Sequence, residues 1–240
     1  MRLNKFLSET GACSRREADA WIEAGRVQVN GATAVLGTQV TEGDEVLLDG
    51  RPVAARPQRV YLALNKPMGI ECTTDRDVAD NIVDFVAHRE RIFPIGRLDK
   101  DSEGLILLTN DGDIVNRVLR AEHEHEKEYI VSVDRPLTRE FLEGMSRGVP
   151  ILGTVTNPCR VRQVGRNTFR IVLTQGLNRQ IRRMCEHFDY TVRRLQRVRI
   201  MHIQLGDLPL GKWRNLTAAE VRPLLPPERT ARETLRLRKR

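Results

Sequence analysis

Gly96-Arg97-Leu98-Asp99-Lys100-Asp101-Ser102-Glu103-Gly104-Leu105 sets three carboxylates and two cations between two apolar runs, Ile92 to Ile95 and Leu105 to Leu108. Short apolar runs bounded by glycine read as buried strands, so the charged segment is a turn at a strand end. Working outward, strand-like runs recur at Val60 to Leu64, Tyr129 to Val133, Phe169 to Leu173 and Val198 to Leu205. Helical spacing falls between several of them: Ile114, Val115, Val118 and Leu119; Phe141, Leu142 and Met145; Ile181, Met184, Cys185 and Phe188. That order favours a mixed α+β sheet over regular βαβ repetition. Thr217-Ala218-Ala219-Glu220 has the form of a capping box, and Pro223, Pro226 and Pro227 discourage helix beyond it.

Several chemistries compete for the charged turn. D-x-D-x-E-G copies the opening of a calcium-binding loop with Gly104 in sixth place, but the twelfth position is Asn110 rather than Glu and both flanks are strand-like. Paired acids for glycoside hydrolysis need carboxyl groups about 5 to 10 Å apart, which Asp99 and Asp101 could span, yet nothing else in the chain supports it. A plain polar turn explains Gly96, Ser102 and Gly104 and leaves an acid beside two cations unexplained. The remaining reading is one nucleophilic carboxylate at a strand end, held ionised by arginine. His123 and His125 alternate as on one strand face, but two histidines without a third clear ligand do not make a site, so no metal is expected.

The 240 residues suffice for one large domain, or a large one plus a small one. With 40% apolar and 30% charged residues the chain is neither low-complexity nor globally disordered. No apolar run approaches the roughly 18 residues that span a bilayer, and the first residues have no long apolar segment for export. Cytoplasmic location without membrane attachment is the expectation. Cys13, Cys72, Cys159 and Cys185 form no C-x-x-C pair and read as reduced thiols. Net charge is +8, and residues 160 to 200 hold eleven arginines against only Glu186 and Asp189, enough to account for the whole excess. A one-sign block repels itself unless something anionic compensates, which points to a polyanion partner. Arginine suits bidentate phosphate contacts and stacking on bases.

Residues 1 to 50 read as a small separate unit: a helix at Leu3, Phe6 and Leu7, a second opened by the capping box Ser14-Arg15-Arg16-Glu17, and a small antiparallel sheet from Val27, Val29 and Val46 to Leu48. The unit is net acidic, with five Arg/Lys against eight Asp/Glu. Affinity for RNA must therefore come from a local patch of Arg15, Arg16 and Arg26; Arg15 and Arg16 lie in a first helical turn, where free backbone N–H groups add to side-chain charge. Residues 51 to 59, with two prolines and three arginines, read as a basic linker that allows the small unit independent motion. Residues 60 to 222 form the main domain, and 223 to 240 a mobile basic tail.

Arg2-Leu3-Asn4-Lys5-Phe6-Leu7, Cys13-Ser14-Arg15-Arg16-Glu17-Ala18 and Gly25-Arg26-Val27-Gln28-Val29-Asn30-Gly31 resemble the S4 RNA-binding module in the right order. Arg97-Leu98-Asp99, followed by Ser102, Gly104-Leu105-Ile106-Leu107 and Thr109, resembles the nucleophile motif of pseudouridine synthases. Asn65-Lys66-Pro67-Met68-Gly69, Lys127-Glu128-Tyr129 and Gly176-Leu177-Asn178-Arg179-Gln180-Ile181-Arg182-Arg183-Met184 are further landmarks of the RsuA/RluB/RluE/RluF family, and the likeness is closest to its RluF type over about residues 1 to 222. This resemblance implies the pseudouridine-synthase fold, a mixed and largely antiparallel central sheet with flanking helices, joined to an S4-like α/β module. It implies isomerisation of a flipped-out uridine in bacterial 23S rRNA, needing no cofactor because the N1–C1′ bond is exchanged for C5–C1′ without change in composition. It assigns Asp99 as nucleophile, Arg182 as its ionic partner, and Tyr129 as the base-stacking residue able to take a proton. Arg97 would hold RNA backbone and the emptied stack, with Lys127, Arg179 and Arg183 as further substrate contacts. The implied partner is a structured stem-loop of large-subunit rRNA, bound by a monomer. A non-enzymatic S4-type ribosome-binding or assembly factor is the alternative; it leaves the pattern beyond residue 60 idle.

Overall fold

The computed structural model describes residues 1–53, 58–119 and 125–225; residues 54–57 of the expected linker, His123 and residues 226–240 of the expected tail lie outside them. The chain opens with helices α1 (Leu3–Glu9) and α2 (Arg15–Glu23). The capping box at Ser14 is formed: its hydroxyl accepts from the Glu17 N–H at 3.2 Å while the Glu17 carboxylate accepts from the Ser14 N–H. Strands β1 (Val27–Val29), β2 (Ala32–Thr33), β3 (Val46–Leu48) and β4 (Arg51–Pro52) make an antiparallel sheet of order β2-β1-β3-β4. Composition placed Arg51 and Pro52 in the linker; instead they pair with Leu48 and Leu47 at the sheet edge, where the missing N–H of Pro52 is tolerated. Leu3, Leu7, Ala18, Ile22 and Val27 close a separate small core.

The remaining elements are β5 (Tyr61–Lys66), α3 (Ile82–Val86), β6 (Phe93–Ile95), β7 (Glu103–Thr109), α4 (Gly112–Leu119), β8 (Lys127–Val133), α5 (Arg139–Arg147), β9 (Pro150–Ile151) and β10 (Thr154–Val155). They continue with β11 (Arg160–Gly165), β12 (Thr168–Leu173), α6 (Gln180–Glu186), β13 (Val192–Ile200), β14 (Ile203–Gln204), β15 (Trp213–Asn215), α7 (Ala218–Val221) and a 3-10 turn at Arg222–Leu224. One sheet runs β11-β12-β8-β13-β7-β5-β15, with β14 beside β13 and β6 beside β7. Its pairings among the described residues are antiparallel except β13 with β7, so the mixed, largely antiparallel sheet is as expected.

Because successive side chains alternate between faces, each strand feeds two cores. Leu62, Leu64, Ile106 and Leu108 pack under α3 on one face; Ala63, Leu105 and Leu107 meet Ile114, Val118 and Leu224 on the other. Leu224 is 1% exposed, so the main core extends past residue 222 into the stretch read as tail. The run Val198 to Leu205 is not one strand: Met201 at φ 53° turns the chain between β13 and β14. Conversely, β13 begins earlier, at Val192, where arginines mask the apolar alternation. Among the described residues no helix is long and apolar enough to cross a membrane.

Candidate active site

The charged turn joins β6 to β7. Gly96, at φ 79°, releases the chain from β6, and Leu98 anchors it by burial with Leu64 and Ile106. The Ser102 N–H donates to the Asp99 carbonyl at 3.0 Å, and the Gly69 N–H donates to the Lys100 carbonyl at 2.8 Å, so the turn is tied both internally and to the loop after β5. Asp99 is left with its carboxylate over a third exposed.

Two arginines reach this turn from α6 and its N-cap. Arg179 adopts the left-handed conformation at φ 50° and donates to both Asp101 oxygens at 3.0 and 2.8 Å, with Asp99 at 4.0 Å. Arg182 donates to the Asp101 carbonyl at 2.8 Å and the Ser102 hydroxyl at 3.2 Å. The expected pairing of Arg182 with Asp99 is thus corrected: the cation beside Asp99 is Arg179, because the Asp101 backbone and the buried Ser102 already engage the Arg182 guanidinium. The Arg182 Nε lies 3.3 Å from an Asp101 oxygen but is buried without a hydrogen-bond partner. The Arg179 hydrogen bonds, and after them the Arg182 charge, hold the Asp101 carboxyl below the usual carboxylate range.

Register defines the floor. Gly104 pairs with both Lys66 and Arg197, and Arg197 with Tyr129, so the side chains of Lys66, Arg197 and Tyr129 share one face of the sheet. Tyr129 lies where the cores beneath α3 and beneath α5 and α6 meet, and its hydroxyl has no hydrogen-bond partner among the described residues. Lys66 is fully buried and donates to the carbonyls of Pro67 and Ile70 at 2.9 and 2.8 Å. Burial lowers the pKa of both Lys66 and Lys127, and the neighbouring Arg197 charge lowers them further. Spacing alone singles out neither Lys66 nor Arg197; the one signal, at Arg197, is a charged residue at a strand position whose same-face neighbour, Leu195, is apolar.

The other site candidates disperse. Arg97 is exposed and offers its carbonyl to Arg197, while Lys127 donates to the His125 carbonyl at 3.3 Å. Arg183 turns back on Asn178, donating to its carbonyl and side-chain oxygens. Arg15 and Arg16 are exposed in the first turn of α2. Arg26 is matched by its own partner, donating to Asp49 at 3.0 and 2.6 Å and lying 5.3 Å over the Trp21 ring. The arginine block is also partly neutralised within the chain: Arg160 and Arg199 pair with Glu126, Arg170 and Arg199 with Glu128, and Arg194 with Glu103. Glu128 is offset by one residue from Tyr129, so this ladder lies behind the sheet, away from the site. Although burial pushes the Glu128 carboxyl up, the Arg199 and Arg170 guanidiniums bring it below its ordinary value.

Comparison with known proteins covers both units. The family described as RNA pseudouridylate synthase matches residues 60–187, and the S4 domain family matches residues 1–46. The chain is 59% identical over 223 residues to the dual-specificity RNA pseudouridine synthase RluF of Escherichia coli (strain K12), covering 92% of this chain and 77% of that one. It is 36% identical over 232 residues to ribosomal large subunit pseudouridine synthase B of Bacillus subtilis (strain 168), covering 93% and 95%. A solved pseudouridylate synthase superposes with a TM-score of 0.69 at 28% identity, covering 94% of this chain and all of that one. The carboxylate turn, the helix of arginines above it and the small N-terminal sheet are therefore parts of one enzyme, and the chain belongs to the RNA pseudouridine synthases, an isomerase family.

Proposed function

We propose that the enzyme converts one uridine of a folded large-subunit rRNA stem-loop to pseudouridine, with Asp99 as the nucleophile. The observation that carries this reading is the ionic turn itself: an open carboxylate at the entrance to β7, flanked by Arg179 at 4.0 Å and backed by Arg182. A carboxylate oxygen adding to the sugar or base divides one difficult exchange into easier steps. The target base must leave its stack to arrive there, and Tyr129 offers the aromatic face on which it rests. Arg97, Lys127, Arg179 and Arg183 are the proposed RNA contacts, and of these Arg179 stands at the turn itself. The relatives named above include an enzyme of the large ribosomal subunit, which favours that RNA as the substrate class. Residues 1–53 act as a separate grip on a neighbouring helix through Arg15 and Arg16, the linker lies between that unit and the catalytic domain, and the enzyme works as a cytoplasmic monomer without a cofactor.

Asp99→Asn keeps the shape of the side chain and removes its permanent negative charge. Carbodiimide-primed reverse transcription on an rRNA transcript should find no pseudouridine with this variant, while its RNA affinity and melting temperature stay near wild type. Substantial turnover by Asp99→Asn would sink the assignment.

A further inference from the structure

Among the described residues Arg197 is a cation without a carboxylate partner. It is 4% exposed, its Nε donates to the Leu105 carbonyl at 2.7 Å, its Nη1 donates to the Arg97 carbonyl at 3.2 Å, and its Nη2 is buried without a partner. Lys66 and Lys127 add like charge nearby. Burial of an unpaired charge beside two others is strongly unfavourable unless its hydrogen bonds are needed. Its buried neighbour on the same face of β13, Leu195, is apolar, so filling space does not require arginine here.

The two carbonyls explain the requirement. On the β7 edge, β13 pairs at Glu103 and Gly104 and β6 takes over at Leu107, leaving the Leu105 carbonyl in the fork between them. The Arg197 Nε closes that gap. The second carbonyl belongs to Arg97, two residues before Asp99, on the segment that has just left β6. Gly104 makes this reach available: a Cβ there would stand 2.3 Å from the Arg197 backbone oxygen, so only glycine lets β13 approach β7 this closely.

We propose that Arg197 is a positioning residue that clamps the Arg97 carbonyl to β7 and so fixes the direction in which Asp99 leaves the sheet. It acts through Asp99 and does not touch RNA. The effect on rate rests on Asp99 being the nucleophile; the effect on the turn does not.

Arg197→Gln in the full chain isolates the clamp, because the Gln Nε2 occupies the place of the Arg Nε and keeps the Leu105 bond while losing the reach to Arg97. Amide hydrogen exchange should rise by about tenfold or more at Ser102 and Gly69, whose N–H groups hold the turn, with β12 amides unchanged. With saturating rRNA fragment the single-turnover rate should fall by about 100-fold, the loss expected from misplacing a reacting group by about 1 Å, while Kd for the RNA moves less than about threefold. Wild-type exchange at Ser102 and Gly69 would overturn the clamp, as would a rate loss that disappears at saturating RNA. If the β12 amides lose protection as well, the substitution has disturbed the whole sheet, and Arg197→Lys, which keeps the charge, decides in its place: wild-type exchange and rate in that variant reject the two-carbonyl clamp. A loosened turn in Arg197→Gln together with an active Asp99→Asn leaves the clamp standing and removes Asp99 as the nucleophile.

Discussion

Lys66 carries an ammonium where there is no solvent, and that single residue joins β5 to the loop that supports the nucleophile turn. Its partners, the Pro67 and Ile70 carbonyls, flank Gly69, whose N–H holds the Lys100 carbonyl. Lys66→Met fills similar volume and leaves two half-buried carbonyls without their donor. The expected loss is about 1–2 kcal/mol of unfolding free energy, the low end of the roughly 1–3 kcal/mol that an unpaired buried acceptor costs, because both carbonyls are only half-buried, and a lower urea midpoint at unchanged m-value would register it. Asp101 offers the complementary lesson. Between two arginines it serves as the counter-ion that Asp99 was expected to be, and it leaves the Asp99 carboxylate open.

At the level of the element, α7 is too short to persist by propensity alone and is secured at its start. The Thr217 hydroxyl caps the Glu220 N–H, while the Glu220 carboxylate accepts from the Thr217 N–H at 2.8 Å and from both Arg214 terminal nitrogens at 2.8 and 2.7 Å. The Arg214 hydrogen bonds lead in bringing the Glu220 carboxyl down to about 2. An unfolded Glu titrates near 4.3, so the unfolded state binds the proton more tightly. The stabilisation is present above that value and is lost as pH falls towards about 2. Glu220→Gln should cost about 1 kcal/mol at pH 7, less than the full shift implies because Arg214 is about a third exposed. Urea midpoints of the two proteins should converge between pH 5 and pH 2; a gap that persists at pH 2 would contradict the ionic origin.

The whole molecule joins two independently cored units through exposed ion pairs. Lys5 meets Asp113 at the start of α4, and Arg91 meets Glu17 at 3.2 Å. Exposed pairs of this kind contribute about 0–1 kcal/mol each, so they do not rigidly bind one unit to the other. Limited proteolysis is expected to cut first near residues 53–59, past the β4 pairing, or in the basic tail, and early cleavage inside 95–110 would contradict a fixed nucleophile turn. RNA affinity should fall with salt by about 0.7 to 0.9 in log K per phosphate contact for each tenfold rise. Deleting residues 1–59 should weaken binding by about 100-fold, the range in which a tethered second module acts, and relax site choice while sparing the chemical step. A truncated enzyme with unchanged affinity and site would remove selectivity from the S4 unit.

Much of this architecture is legible in the chain because its signals are local. The capping boxes at Ser14 and Thr217 involve residues three apart, and the apolar runs of β5, β7, β8 and β12 alternate or persist over consecutive positions. The two units can likewise be told apart from residues 1 to 50 alone. Other features depend on partners far apart in sequence. Eleven arginines between 160 and 200 read as an excess seeking an outside anion, yet Glu103 of β7, Glu126 just before β8 and Glu128 within it match four of them. Spacing likewise cannot tell which carboxylate an arginine of α6 will meet: Asp99 and Asp101 are two residues apart, and the choice between them depends on how the turn is tied to Gly69 and Ser102. The position of Arg197 is the clearest case, since the fork it fills exists only once β13 and β6 share the edge of β7. The sequence determined the apolar core strands, the capped helices and the chemistry at the turn, because propensity and hydrophobic period act between near neighbours; the tertiary structure decided the edge strands, the break at Met201 and the pairing of charges, because these depend on distances no local pattern contains.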